Sequence, residues 1–184
     1  SKGAIHYITE EEIEKSKTYL IDKVQSQKVV ALILGGPNKY YSFDNEEISK
    51  IFNQIKENFI YNGYKAIIVP SMRTPKKTIE LAKKEFENDG YVVTEVNKQA
   101  YLSSLAIASN IVITCDSTSM ISEAAISGKP IFVAHMKNKR NNYRFKKFFQ
   151  LFKDMGITKN LGEKVEYWKY NNFNESERVA KIIN

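Results

Sequence analysis

Short apolar runs alternate with single amphipathic stripes along most of this chain, and that alternation constrains the fold more than any other feature. Residues 29–34 read Val-Val-Ala-Leu-Ile-Leu without a polar break and stop at Gly35-Gly36-Pro37. A strand buried on both faces has this pattern. Four further runs, at 66–69, 91–96, 111–115 and 131–134, predict four more strands.

The stripes between them predict helices. Thr9 is placed as the N-cap of a helix reaching Val24, with Glu10, Glu11 and Glu12 near its positive end. Asp44 or Asn45 caps a second helix carrying Ile48, Ile51, Phe52, Ile55 and Phe59, and Asn62-Gly63 stops it. A third runs over 75–88 with Pro75 in its first turn, and others follow at 102–108 and 119–127. Strands joined through single helices need crossover connections, and the right-handed rule for these gives a parallel sheet covered on both faces. The expected fold is therefore α/β: a doubly wound, Rossmann-like parallel sheet of about five strands, in the order 3-2-1-4-5.

Composition narrows the class. At 184 residues and 42% hydrophobic, the chain has the length of one domain with an ordinary core, burying roughly 70% of its unfolded surface. The expected division is an alternating core over 1–136 and a helical segment over 137–184. In that segment Phe145, Phe148, Phe149 and Phe152 form a packing stripe, and Arg140, Arg144, Lys146 and Lys147 lie on its wetter side. One Cys excludes a disulfide framework, and two distant His, His6 and His135, lack zinc-ligand spacing, so no metal is expected. The net charge of +7 is dispersed, which reads as solvated surface and not as a nucleic-acid footprint. No apolar stretch approaches the roughly 20 residues of a membrane span, and no secretory signal is evident, so the expected compartment is cytoplasmic.

In an open parallel sheet, ligands bind beyond the carboxyl ends of the strands where the strand order reverses, here between the first and fourth. The loops at that point carry Gly35, Gly36, Asn38 and Lys39 on one side and Asp116, Ser117, Thr118 and Ser119 on the other. Glycines let backbone amides come close to a ligand, although a tight strand exit would use them equally well. The three hydroxyl residues sit at a helix start, where free N–H groups and the dipole favour phosphate; N-capping explains one of them. Glu123 lies one turn beyond Ser119, on its face, where it could bind a ribose diol or simply remain a surface acid.

The loop after the second strand adds Arg73, with either an anion-binding or an ion-pairing role, and Thr74, read as the cap of the following helix. Tyr40 and Tyr41 could flank a base or cover the core. Cys115 reads as an inert core thiol, Asp116 as a loop-orienting acid and His135 as a packed or exposed histidine. The first loop has neither the dinucleotide fingerprint nor Walker spacing, which excludes NAD binding and ATP hydrolysis of those types.

The segments Gly35-Gly36-Pro37-Asn38-Lys39-Tyr40-Tyr41-Ser42-Phe43, Ser71-Met72-Arg73-Thr74-Pro75 and Cys115-Asp116-Ser117-Thr118-Ser119-Met120-Ile121-Ser122-Glu123-Ala124-Ala125 occur in this order. With Gly128-Lys129-Pro130, Tyr143-Arg144-Phe145 and the 168–178 tail, they resemble the mitochondrial-fission "elongated mitochondria" family. That family has bacterial members and a plant member that helps a dynamin-related GTPase reach the mitochondrial surface. The resemblance implies a two-domain GT-B-like architecture similar to nucleotide-sugar glycosyltransferases, of which this chain matches the C-terminal, donor-binding half.

It also implies a nucleotide sugar as ligand, with the diphosphate held by Ser117 to Ser119 and the ribose by Glu123. No other cofactor is implied. The preceding N-terminal domain would be the partner onto which the 137–184 segment packs, and the chain alone is expected to be inactive. The competing expectation is a non-enzymatic interaction module that recruits a protein or an anionic membrane through the basic stretch 137–147.

Overall fold

The computed structural model describes residues 7–26, 28–171 and 173–183; His6 lies outside them. Six parallel strands form one sheet in the order β3-β2-β1-β4-β5-β6. They are β1 (Val29–Leu34), β2 (Lys65–Pro70), β3 (Gly90–Val92), β4 (Asn110–Thr114), β5 (Ile131–Ala134) and β6 (Thr158–Asn160). The helices are α1 (Glu10–Lys15), α2 (Ile21–Val24), α3 (Asn45–Asn58), α4 (Lys76–Phe86), α5 (Lys98–Ile107), α6 (Thr118–Ala124), α7 (Tyr143–Asp154) and α8 (Glu175–Ile183). The expected order is present in full, with one strand added beyond β5.

β1, β4 and β5 are buried at every position, as their unbroken apolar sequences require. The register sets Ile33 opposite both Val69 and Ile113, so the carboxyl ends of β1, β2 and β4 finish level with one another. α3 starts where Asp44 accepts from the Glu47 N–H at 3.0 Å, and it buries Ile48, Ile51, Phe52 and Ile55. The phenylalanine stripe of α7 packs as expected: Phe148 stacks on the fully buried Phe152 at 4.2 Å, and Phe152 meets Phe173 at 5.3 Å.

Five expectations need correction, the first being that the helix placed at 102–108 starts at Lys98, behind its cap Asn97. β6 was not expected, because Thr158-Lys159-Asn160 is an edge segment with no apolar run, held by pairing to β5. The third strand ends at Val92 and does not reach Val96, since only 90–92 lie against β2. α6 begins at Thr118 with Ser117 as its cap, ahead of the predicted start at Ser119.

The predicted helix from Thr9 to Val24 is broken into α1, a 3-10 turn at Lys17–Tyr19 and α2. Two serines account for the break. The Ser16 hydroxyl bonds back to the Glu12 carbonyl at 2.9 Å. Buried Ser103 of α5 accepts from the Leu20 N–H and donates to the Lys17 carbonyl, both at 3.1 Å, taking groups a continuous helix would have used. Ser103→Ala should therefore leave the Leu20 N–H buried without a partner and cost about 2 kcal/mol in chemical denaturation. A change within about 0.5 kcal/mol, the background of surface substitutions, would show that the N-terminal segment does not depend on this bond.

Candidate functional site

The loops after β1, β2 and β4 converge at the carboxyl edge of the sheet, and a chain of hydrogen bonds joins segments 79 positions apart. The Gly35 N–H donates to the Thr114 hydroxyl at 2.8 Å and the Gly36 N–H to Asp116 Oδ2 at 3.0 Å. The Asn38 side-chain amide donates to the Asp116 carbonyl at 3.3 Å, while its oxygen accepts from the Tyr40 and Tyr41 N–H groups. The glycine-lined exit and the serine-rich turn are thus neighbours.

Their contact surface is filled by the protein itself. Both glycines are buried and their amides are bonded within the protein, which is the geometry of the tight strand exit, one of the two uses expected of them. A Cβ on Gly35 would fall 2.0 Å from Asp116 Oδ2, and one on Gly36 would fall 2.0 Å from the Arg73 carbonyl oxygen. The close approach these glycines permit is that of Asp116 and of the Arg73 backbone.

Arg73 closes the junction from above. Its Nη2 pairs with Asp116 Oδ2 at 2.8 Å, and its Nη1 donates to the Gly36 carbonyl at 2.9 Å and to the Pro37 carbonyl at 3.4 Å. The Asp116 side chain is fully buried and that of Arg73 is 42% exposed, so the ion pair is half-covered. Asp116 has the loop-orienting role read for it, although its Oδ1 is buried with no partner among the described residues.

Thr74 does not cap the next helix. Its hydroxyl donates to the Gly35 and Leu34 carbonyls at 2.7 and 3.1 Å and accepts from the Ser71 N–H at 2.9 Å, and Pro75 occupies the cap position without a side-chain bond. The hydroxyl is drawn to carbonyls at the end of β1, of which that of Leu34 also accepts from the Ser71 N–H at 3.1 Å.

Beside this locked junction stands the tip of α6. Ser117 is buried, caps through a 3.4 Å bond from the Met120 N–H, and lies 3.3 Å from the Ser119 hydroxyl. Thr118 is half-buried and Ser119 exposed. As the first residues of a helix, both keep N–H groups that find no partner among the described residues. α6 passes into a 3-10 turn at Ala125–Ser127 without a break. Glu123 lies one turn on and accepts from the Tyr101 hydroxyl of α5 at 2.7 Å. Burial, and then the Glu123 charge, hold the Tyr101 phenol well above its usual value. Tyr101 escaped sequence reading, since nothing local marks a tyrosine that meets a carboxylate 22 positions away. Lys39 is exposed, with Nζ 5.0 Å from the Tyr40 ring centre.

The remaining reactive groups are quiet. Cys115 is a buried free thiol that burial pushes up to about 11. His135 is exposed as a residue, yet its ring packs edge-on against Phe149 at 4.9 Å and bonds Asn160 Oδ1 at 3.0 Å. Loss of water holds the imidazole below 6.5, with the Asn160 bond opposing and Lys153 adding to the fall. Among the described residues no group of three or more His, Cys, Asp or Glu could hold a metal ion, and no helix is long and apolar enough to cross a membrane.

The profile of the mitochondrial fission ELM1 family matches residues 1–184. An uncharacterized protein of Rickettsia prowazekii, RP120, is 31% identical over 169 residues, which is 85% of this chain and 46% of that protein. The Arabidopsis thaliana mitochondrial fission protein ELM1 is 23% identical over 98% of this chain and 43% of its own length. The chain thus spans less than half the length of these relatives. Among solved structures, the co-structure of S. aureus MnaA with UDP superposes with a TM-score of 0.55 at 16% identity, over 90% of this chain and 40% of that one. That likeness is one of fold, a GT-B-like domain of Rossmann type.

Proposed function

The chain belongs to the mitochondrial fission ELM1 family, and from that premise we propose that it is the nucleotide-binding half of a GT-B-like protein, holding a nucleotide-sugar diphosphate at the tip of α6. The observation that carries the reading is the pair of unpartnered N–H groups of Thr118 and Ser119 beside an exposed hydroxyl, at the point where strand order reverses. A GT-B-like fold supports it from a second side.

In this reading the diphosphate accepts from those two amides and the Ser119 hydroxyl. Lys39 supplies a mobile positive charge from the facing loop, and the Glu123 oxygen not used by Tyr101 accepts from the ribose. The Arg73 fork is committed to Asp116 and to carbonyls, so its part is to hold the junction rigid. Charge that builds on a leaving diphosphate would be met by donors already in place, which is how such a site accelerates transfer. The chain spans less than half of each of these relatives, and the acceptor side is assigned to the portion it does not span.

Titration calorimetry with UDP, GDP, ADP and CMP tests the site. At least one should bind with a Kd of about millimolar or tighter. Ser119→Asp should then weaken binding by about tenfold or more through like-charge repulsion. An acid in the first turn of α6 leaves the helix as stable as before or slightly more so. No binding by any of the four, or binding that Ser119→Asp leaves unchanged, overturns the proposal.

A further inference from the structure

A second cleft of about 480 Å³ opens on the other side of Tyr41, between the carboxyl ends of β5 and β6 and the first turns of α7. None of the residues assigned to the nucleotide lines it. Its charge is one-sided: Arg140, Lys146 and Lys153 line it, and no acid does. Arg140 and Lys146 form no ion pair among the described residues, and Lys153 has only an exposed contact with Glu163 at 3.7 Å.

The polar groups between these cations are half spent on the protein, and what they leave over is mixed. Asn138 and Gln150 donate their side-chain N–H groups to Arg140, Asn141 and Asp154, which leaves their oxygens as acceptors. Asn142 and Asn160 accept from the Arg144 N–H and from His135, which leaves their NH₂ groups as donors. Because an amide oxygen only accepts, His135 donates from Nε2, and its Nδ1 remains an acceptor.

The apolar part of the lining is Phe145, Phe149 and Met136. Phe145 is clamped edge-to-face against Tyr40 and Tyr41 at 5.3 and 5.8 Å, so the wall is fixed. Donors and acceptors in nearly equal number suit hydroxyls, each of which both gives and takes a hydrogen bond. Aromatic carbons suit the C–H face of a ring, and unpaired cations suit a phosphate. The volume falls in the range of small-molecule sites, roughly 300–1,000 Å³. We propose that this cleft binds a phosphorylated sugar, with Arg140 and Lys146 on the phosphate and the amides and aromatic carbons on the ring. This site does not depend on the nucleotide reading.

Titration of the chain with glucose 1-phosphate and glucose 6-phosphate, with inorganic phosphate and glucose as the separate halves, tests it. At least one sugar phosphate should bind, more tightly than either half. Arg140→Ala combined with Lys146→Ala, both at exposed positions, should weaken that binding by about tenfold or more. Ser119→Asp should leave it unchanged, which separates this site from the nucleotide site. Three results overturn the assignment: no binding of either sugar phosphate at about 10 mM, inorganic phosphate binding as tightly as the sugar phosphates, or binding that survives the double substitution.

Discussion

Arg73→Ala is expected to destabilise the folded chain by about 3 kcal/mol, at the low end of what removing one partner of a buried pair costs because the guanidinium is itself half in water. The loss has three parts. Asp116 is left fully buried without its cation, its Oδ1 already lacks a partner, and the Gly36 and Pro37 carbonyls lose their donor. Arg73→Lys should recover only part of the loss, since one ammonium cannot span Asp116 and the Gly36 carbonyl as the planar fork does.

Asp116→Ala on its own would strand the Gly36 N–H, whereas the double variant removes both charges together. The two losses should therefore fall short of additivity in a double-mutant cycle. Urea denaturation of the four proteins checks this. Wild-type stability in Arg73→Ala, combined with lost nucleotide binding, would transfer Arg73 from the framework to the ligand.

This experiment addresses what the sequence left undecided. A fork-bearing residue near a small-residue loop suits an anion and an ion pair equally, and the choice depends on Asp116, 43 positions away. The sheet was far easier to read. A strand buried on both faces announces itself by an unbroken apolar run, and β1, β4 and β5 fall within a residue or so of the predicted positions. The strand order followed from the doubly wound class to which the alternation of strands and helices points, and with it the meeting of the β1 and β4 loops.

What was missed lacks a local signal. β6 is three polar residues kept in place by a neighbour. The break after α1 is imposed by Ser103, 83 positions from the residue it bonds. Thr74 precedes a proline, as a cap would, but finds stronger partners at the end of β1. In each case a long-range contact overrode a sound local preference. Five of the residues expected at the ligand, Gly35, Gly36, Asn38, Arg73 and Thr74, are bonded to one another or to Asp116 within the junction of the β1, β2 and β4 loops.

Gly36→Ala gives the sharpest test of that reassignment. Gly36 is not among the glycines with positive φ, so a side chain there meets no backbone strain of its own. The obstacle is space: the added carbon would lie 2.0 Å from the Arg73 carbonyl oxygen and 2.4 Å from its carbon, and backbone cannot swing aside as a flexible side chain can. Either the β1 loop or the loop bearing Arg73 must move, and the bond from Arg73 Nη1 to the Gly36 carbonyl spans both.

The expected cost is about 3 kcal/mol, the upper part of the range for overpacking. It should appear as a lower denaturation midpoint with an unchanged slope. If the glycine instead serves to admit a ligand, the variant will keep its stability and lose nucleotide binding alone. At Gly35 the obstacle is the Asp116 carboxylate, so Asp116→Ala should relieve Gly35→Ala and leave Gly36→Ala unrelieved.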